Sequence, residues 1–96
     1  MSGYTVVNNK RQSLFEIEFA SGEKAILEYR WLKGSMVLMR TLVPKEERGK
    51  GAGNALAKAA LEHAASHHLK VIVYCAFVEQ YIKQHKEYEN LVLQKG

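Results

Sequence analysis

Cysteine and proline are almost missing from this 96-residue chain, which has one of each, Cys75 and Pro44. A lone cysteine closes no internal disulfide, so a cystine-stapled scaffold is excluded and the fold must be held by its core. No apolar run approaches the roughly 20 residues that span a bilayer. The first residues, MSGYTVVNNK, lack the basic start and apolar stretch of a secretion signal, so a cytoplasmic protein with no membrane partner is expected. Charge of one sign is also scarce: 14 Lys and Arg against 10 Asp and Glu leave a net +4, which favours anionic partners without naming one. The excess collects at Arg40, Lys45, Arg48 and Lys50, whereas basic residues elsewhere mix with acids, as in KEYENL. Without interleaved exposed aromatics or a recognition motif, a nucleic-acid partner is not expected.

What is present is the pattern of a small globular domain, 47% hydrophobic and 25% charged, expected to span residues 1–96 as one unit. Ser13 to Phe19 sets Phe15, Ile17 and Phe19 against Glu16 and Glu18, the two-residue period of a half-buried strand. After a turn at Ala20 to Glu23, KAILEYRWL alternates again, predicting a hairpin, and LKGSM predicts the next turn. A third strand runs from Met36 to Val43 and ends at Pro44, which has no amide to donate. From Gly51 to about His68 the spacing is helical, with Lys58, Glu62 and Ser66 on a polar stripe and Leu56, Ala59, Ala60, His63 and Ala64 facing away. VIVY, residues 71–74, reads as an interior strand covered on both sides. FVEQYIKQHKEY then predicts a shorter helix, followed by a weakly specified tail from Asn90.

Gly49, Gly51 and Gly53 alternate with Lys50 and Ala52 at the entrance to the long helix, where each costs about 0.5–1 kcal/mol relative to Ala in helical conformation. The first turn of a helix carries amides with no internal acceptor and about half a positive charge, so strand, glycine turn and helix entrance form an anion site suited to phosphate. Glycines keep Cβ atoms away from those amides, and Arg48 and Lys50 add positive charge. The two commonest nucleotide loops, GxxxxGK[ST] and GxGxxG, are both absent.

Arg-x-x-Gly-x-Gly, here Arg48, Gly51 and Gly53, resembles the pyrophosphate loop of the GNAT superfamily of acetyl-CoA-dependent N-acetyltransferases. The stretches from Val43 to Ala64 and from Leu69 to Tyr88 are similar to the small GNAT-like proteins that consist of little more than the acetyl-CoA-binding half. The resemblance covers about Arg40 to Tyr88. It implies an α/β (α+β) fold with a mixed, mostly antiparallel sheet, a long helix after the glycine loop and a second shorter helix. The usual N-terminal helices would be lacking. It implies acetyl-CoA as cosubstrate, with the backbone of Thr41, Leu42 and Val43 pairing with the pantetheine arm. The amides of Arg48, Gly49, Lys50, Gly51, Ala52, Gly53 and Asn54 would hold the pyrophosphate, and Lys45, Arg48 or Lys50 would reach the remaining phosphate. The strands flanking the long helix would splay to open a slot, with Cys75 at its end. The acceptor would be an amine, either a small molecule such as a polyamine or a protein lysine, and a second subunit could complete the site as a homodimer.

Acetylating an amine requires a neutral nitrogen, yet an alkyl amine with a pKa of about 10.4 is neutral in only about one molecule per thousand at pH 7. Cys75 is the first catalytic candidate, as nucleophile or as acid toward the CoA thiolate; a buried structural cysteine is the alternative. Tyr81 loosely matches the tyrosine that GNAT enzymes use as acid, although a helical aromatic also serves as core packing. Some relatives carry a histidine in the position of Arg40, and an arginine is an anion clamp rather than a base. A base must then come from Glu28, Glu46, Glu47 or water. A chain that binds CoA esters without turnover is the alternative function. His63 and His67 have the i, i+4 spacing of a metal pair, but no third ligand accompanies them and no metal is expected.

Overall fold

The computed structural model describes residues 3–93. Its elements follow in the order β1 (Val7–Asn9), β2 (Leu14–Glu18), β3 (Lys24–Leu32), β4 (Ser35–Leu42), a 3₁₀ turn (Lys45–Glu47), α1 (Ala52–Ser66), β5 (Val71–Val73), α2 (Ala76–Gln84) and a second 3₁₀ segment (Lys86–Leu91). One five-stranded sheet runs in the order β1-β2-β3-β4-β5, antiparallel except for the parallel pair β4 and β5. This is a mixed, mostly antiparallel α+β architecture, with no helix before the sheet among the described residues.

The hairpins arise from local chemistry. Between β3 and β4 only Lys33 and Gly34 intervene, both at positive φ (50° and 84°), the two-residue primed turn whose twist matches that of the strands. Between β2 and β3, Gly22 at φ 91° donates to the Phe19 carbonyl at 2.8 Å. Alternation then sends Phe15, Ile17, Ala25, Leu27 and Tyr29 into the core, where they share one cluster with Leu56, Ala57, Ala60, Leu61 and Ala64 of α1 and Val78, Tyr81 and Ile82 of α2. Ala57, Ala60 and Ala64 alternate with Leu56 and Leu61 on the buried side of α1, which packs on β2 and β3.

Pairing between β3 and β4 slips at one place. Tyr29 faces Leu38 but Glu28 faces Arg40, so Met39 is an extra residue in β4, a bulge. Its consequence is a change of face. Met36 and Leu38 point to the helices; beyond the bulge Thr41, opposite Leu27, takes that side, while Arg40 and Leu42 turn to the other.

Three expectations need correction. β1 was not anticipated: VNN is short and polar, and only pairing with β2 through Val7–Glu16, Asn8–Phe15 and Asn9–Leu14 makes it a strand. β5 is an edge strand, not an interior one: Val71 is fully buried, Ile72 and Val73 are half-buried, and Tyr74 is exposed. Its outer side is covered locally by Val92, which bridges Val71, and by the Leu93 amide donating to the Val71 carbonyl at 2.8 Å. The helix expected over 77–88 stops at Gln84. There the His85 ring Nδ1 lies 2.9 Å from the Tyr81 carbonyl, the acceptor that the next helical amide would need, and the His85 amide turns to Ile82 instead.

Candidate acyl-donor cleft

Pro44 ends the strand pairing and starts the 3₁₀ turn, with the Glu47 amide on its carbonyl at 2.9 Å. Arg48 returns to an extended conformation, and its Nε donates to the Val43 carbonyl at 3.1 Å, lacing the loop to the end of β4. Gly49 and Gly51 have φ of 80° and 91°, a region that side chains enter at a cost of about 1–2 kcal/mol. Gly51 is the residue that caps α1, with no side-chain hydrogen bond at the cap and no acidic residue in the first turn. Among the described residues, no carbonyl or side chain accepts a bond from the amides of Gly49, Gly51, Ala52, Gly53 or Asn54, while the Lys50 amide closes the turn through Arg48 and Gly49. The Ala55 amide, bonded to the Gly51 carbonyl at 3.0 Å, is where internal pairing begins.

The glycines therefore serve different purposes. A Cβ at Gly49 or Gly51 would meet nothing within 4 Å; the demand there is for positive φ. At Gly53, which is buried, a Cβ would lie 2.8 Å from Cζ of Phe77. At Gly53 the missing Cβ thus makes room for the Phe77 ring, a reason separate from any approach of phosphate oxygens.

These amides open onto a cleft of about 520 Å³ lined by Thr41, Leu42, Val43, Glu47, Arg48, Gly49, Gly51, Ala52, Gly53, Asn54 and Phe77. The cleft exists because β4 and β5 part company. The Leu38 carbonyl accepts both the Tyr74 amide at 2.9 Å and the Cys75 amide at 3.1 Å, and beyond it Arg40–Leu42 have a partner strand on the β3 side alone. Of the residues expected at a donor site, Lys45 and Lys50 stand outside this lining; Lys50 lies 3.9 Å from Glu47, and its carbonyl accepts from the Tyr4 hydroxyl at 3.1 Å. Phe77 was missed by sequence reasoning. Its signal would have been spacing across elements, an aromatic two residues past Cys75 set over a helix-entrance glycine.

Cys75 caps α2 and is buried, with its Sγ 3.3 Å from the Thr41 hydroxyl; it reaches the cleft through Thr41 rather than lining it. Tyr81 is also buried and also absent from the cleft wall. It stacks on His85 with ring centroids 4.0 Å apart, and burial, with the charges of Glu87 and Glu62, pushes its phenol above the usual tyrosine range. Glu28 lies on the far face of the sheet, its two oxygens engaged by Arg30 and Arg40. Desolvation opposes its charge, but the hydrogen bonds and charges of those arginines outweigh it and hold the carboxyl below its ordinary value. That ion pair occupies both Glu28 as a base and Arg40 as an anion clamp. Glu46 is outside the cleft; Glu47 lines it. The His63 and His67 rings stack at 4.1 Å, 27° from parallel, and no group of three or more His, Cys, Asp or Glu among the described residues is placed to hold a metal.

Comparison with known proteins adds family membership to this geometry. The family described as GCN5-related N-acetyl-transferase matches residues 14–91. Protein NATD1 of Danio rerio is 30% identical over 92 residues, which cover 92% of this chain and 84% of that protein. Protein NATD1 of Homo sapiens is 31% identical over 81 residues, 82% of this chain and 72% of that protein. The solution structure of a GCN5-like protein from Staphylococcus aureus superposes with a TM-score of 0.73 at 26% identity, covering 100% of this chain and 94% of the other. By matched length and by fold together, the chain belongs to the GCN5-related N-acetyltransferase family.

Proposed function

We propose that this chain is an acetyl-CoA-dependent N-acetyltransferase working in the cytoplasm on an amine presented at an open site. The observation that carries the reading is the set of unclaimed amides of Gly49 and of Gly51 to Asn54 beside an apolar-walled cleft at the entrance of α1. Those donors, with the positive end of a 15-residue helix behind them, fit a diphosphate. Arg48 adds a charge at the rim, and the exposed main chain of β4 from Thr41 to Val43 fits an amide-bearing arm. Acetyl-CoA would supply an acetyl group already activated as a thioester.

The residues of this chain would then bind, align and manage protons. Thr41 joins the cleft to Cys75, so the Thr41 hydroxyl and the thiol form the proton-carrying pair nearest the inner end of the slot. The Glu28 carboxylate is withdrawn by its arginines, and Glu47 stands on the loop, so the acceptor amine loses its proton to solvent at the cleft mouth. With no helices walling the acceptor side among the described residues, a protein lysine or a polyamine suits the opening, as does completion by a second copy of the chain.

A CoA-ester binding module without turnover is the second reading, favoured by the burial of Cys75 behind Thr41. Cys75→Ala separates the two. Acetyl-CoA affinity measured by calorimetry should stay within about twofold, while turnover on a panel of amines falls by at least about tenfold. An unchanged rate removes Cys75 from the chemistry, and a wild-type chain that binds acetyl-CoA but acetylates no amine leaves the binding module.

A further inference from the structure

Phe77 is an exposed aromatic in the cleft wall, and the manner of its seating has a consequence for which ligands the cleft accepts. It stands in the first turn of α2 and is the residue through which α2 reaches the cleft; the other lining residues come from β4, the loop and the start of α1. Its ring end rests on Gly53, where a Cβ would be 2.8 Å from Cζ, 3.1 Å from Cε2 and 3.4 Å from Cε1. Gly53 lies among the unclaimed amides. Those donors and an apolar ring thus line one cleft, and 43% of Phe77 remains exposed.

The chemistry of that neighbourhood selects among ligands sharing a diphosphate. A nucleoside diphosphate ends at its phosphates, so it has nothing to place on the ring. In CoA the atoms that follow the diphosphate are the quaternary carbon and paired methyls of the pantoyl group, an apolar unit that covers an aromatic face well. We propose that Phe77, seated on Gly53, is a specificity residue that reads the pantoyl section of the donor and separates pantetheine-bearing ligands from nucleotides with the same diphosphate. The inference rests on the acetyl-CoA reading above and narrows it. It also gives Gly53 a reason of its own: the glycine exists to let the ring lie down.

The test compares CoA with ADP by calorimetry on the wild-type chain and on Phe77→Ala, with Phe77→Leu as a second variant that keeps bulk in the wall. Covering the exposed part of one aromatic ring is worth about a factor of ten in affinity. Phe77→Ala should therefore weaken CoA by about tenfold and ADP by less than about twofold, with Phe77→Leu between them for CoA. A ligand-free readout accompanies it. Gly53→Ala in the wild-type background displaces the ring and gains less Tm than the same change made in Phe77→Ala, which meets no ring and gains what Gly to Ala gives inside a helix. Equal losses for CoA and ADP, or Gly53→Ala acting alike in both backgrounds, overturn the role of Phe77 and leave the donor site standing. A wild-type chain that binds neither CoA nor acetyl-CoA overturns the donor site itself.

Discussion

The two ends of α1 treat the same problem in opposite ways. Every helix leaves main-chain donors unpaired at its start and acceptors at its end. At the C-terminal end the chain answers itself. The His68 amide donates to Ala65 at 3.2 Å and the Leu69 amide to Ala64 at 2.8 Å, the paired bonds of a Schellman cap, with His68 at φ 56°. His67 adds its amide and its ring nitrogen to the His63 carbonyl. At the N-terminal end, the amides of Gly49 and of Gly51 to Asn54 meet no protein acceptor among the described residues, and no side chain caps the helix. A domain able to cap one end so fully has the means to cap the other. On the proposed acetyl-CoA reading, the open end is where stability gives way to binding, since donors kept free for a ligand cannot also hold the fold.

Changes at the open end should have the largest effects. Gly51→Val puts a β-branched residue at φ 91° and turns the amides away from the cleft; acetyl-CoA affinity by calorimetry should fall by about a hundredfold. A loss of less than about threefold would mean that the loop orientation is immaterial, and the contrast between the ends would go with it. Asn54→Asp tests the exchange of stability for binding directly. A carboxylate in the first turn complements the free amides and stabilises the helix by about 0.5 kcal/mol, while its charge repels the ligand and weakens binding by about tenfold. Tm and Kd should both rise, stability gained as affinity is lost; a rise in both stability and affinity would show that those amides are not the ligand's.

Changes at the closed end should move stability alone. His68→Gly relieves a left-handed side chain at the cap position and should add about 1 kcal/mol, seen as a Tm increase of roughly 4–8 °C, with acetyl-CoA affinity unchanged. The smallest effect concerns protons. His63 packs edge-on against Phe15 and stacks on His67, and burial, then the positive charges of His67 and Lys10, hold its imidazole below the ordinary value of 6.5. Its neutral form is thus favoured in the fold. The stability it contributes is present above pH 6.5 and is lost as pH falls below that, because the unfolded chain then binds the proton first. Tm measured from pH 7.5 to 5.5 should decline, and His63→Gln should flatten the slope; a slope that persists in the variant places the titration elsewhere.

Local patterning carried much of this fold into the sequence. The two-residue alternation of Phe15 and Ile17 and of Ala25, Leu27 and Tyr29 needs only the pleat to be converted into a buried face, and those residues are buried. Lys33-Gly34 marked its turn for an equally local reason, as did the alanine-rich spacing of α1. The misread elements all depend on partners distant in the chain. VNN becomes a strand only beside Leu14–Glu18, and VIV lies at the edge because β4 already has β3 on its other side. Residues 77–88 break where a histidine ring takes a helical carbonyl.

The site divides along the same line. The positive φ of Gly49 and Gly51 and the unpaired amides of a helix entrance are short-range properties, set by steric exclusion at Cβ and by the four-residue reach of the helical hydrogen bond, and so the open helix entrance was legible from the letters alone. Which side chains surround that loop is a matter of packing. The bulge at Met39 turns Arg40 away to Glu28 and brings Thr41 to Cys75, the splay of β4 from β5 creates the cleft, and Phe77 comes to lie on Gly53 across 24 positions of sequence. No local rule places those pairs, because each contact is decided by how sheet and helices close together and only then by the residues involved.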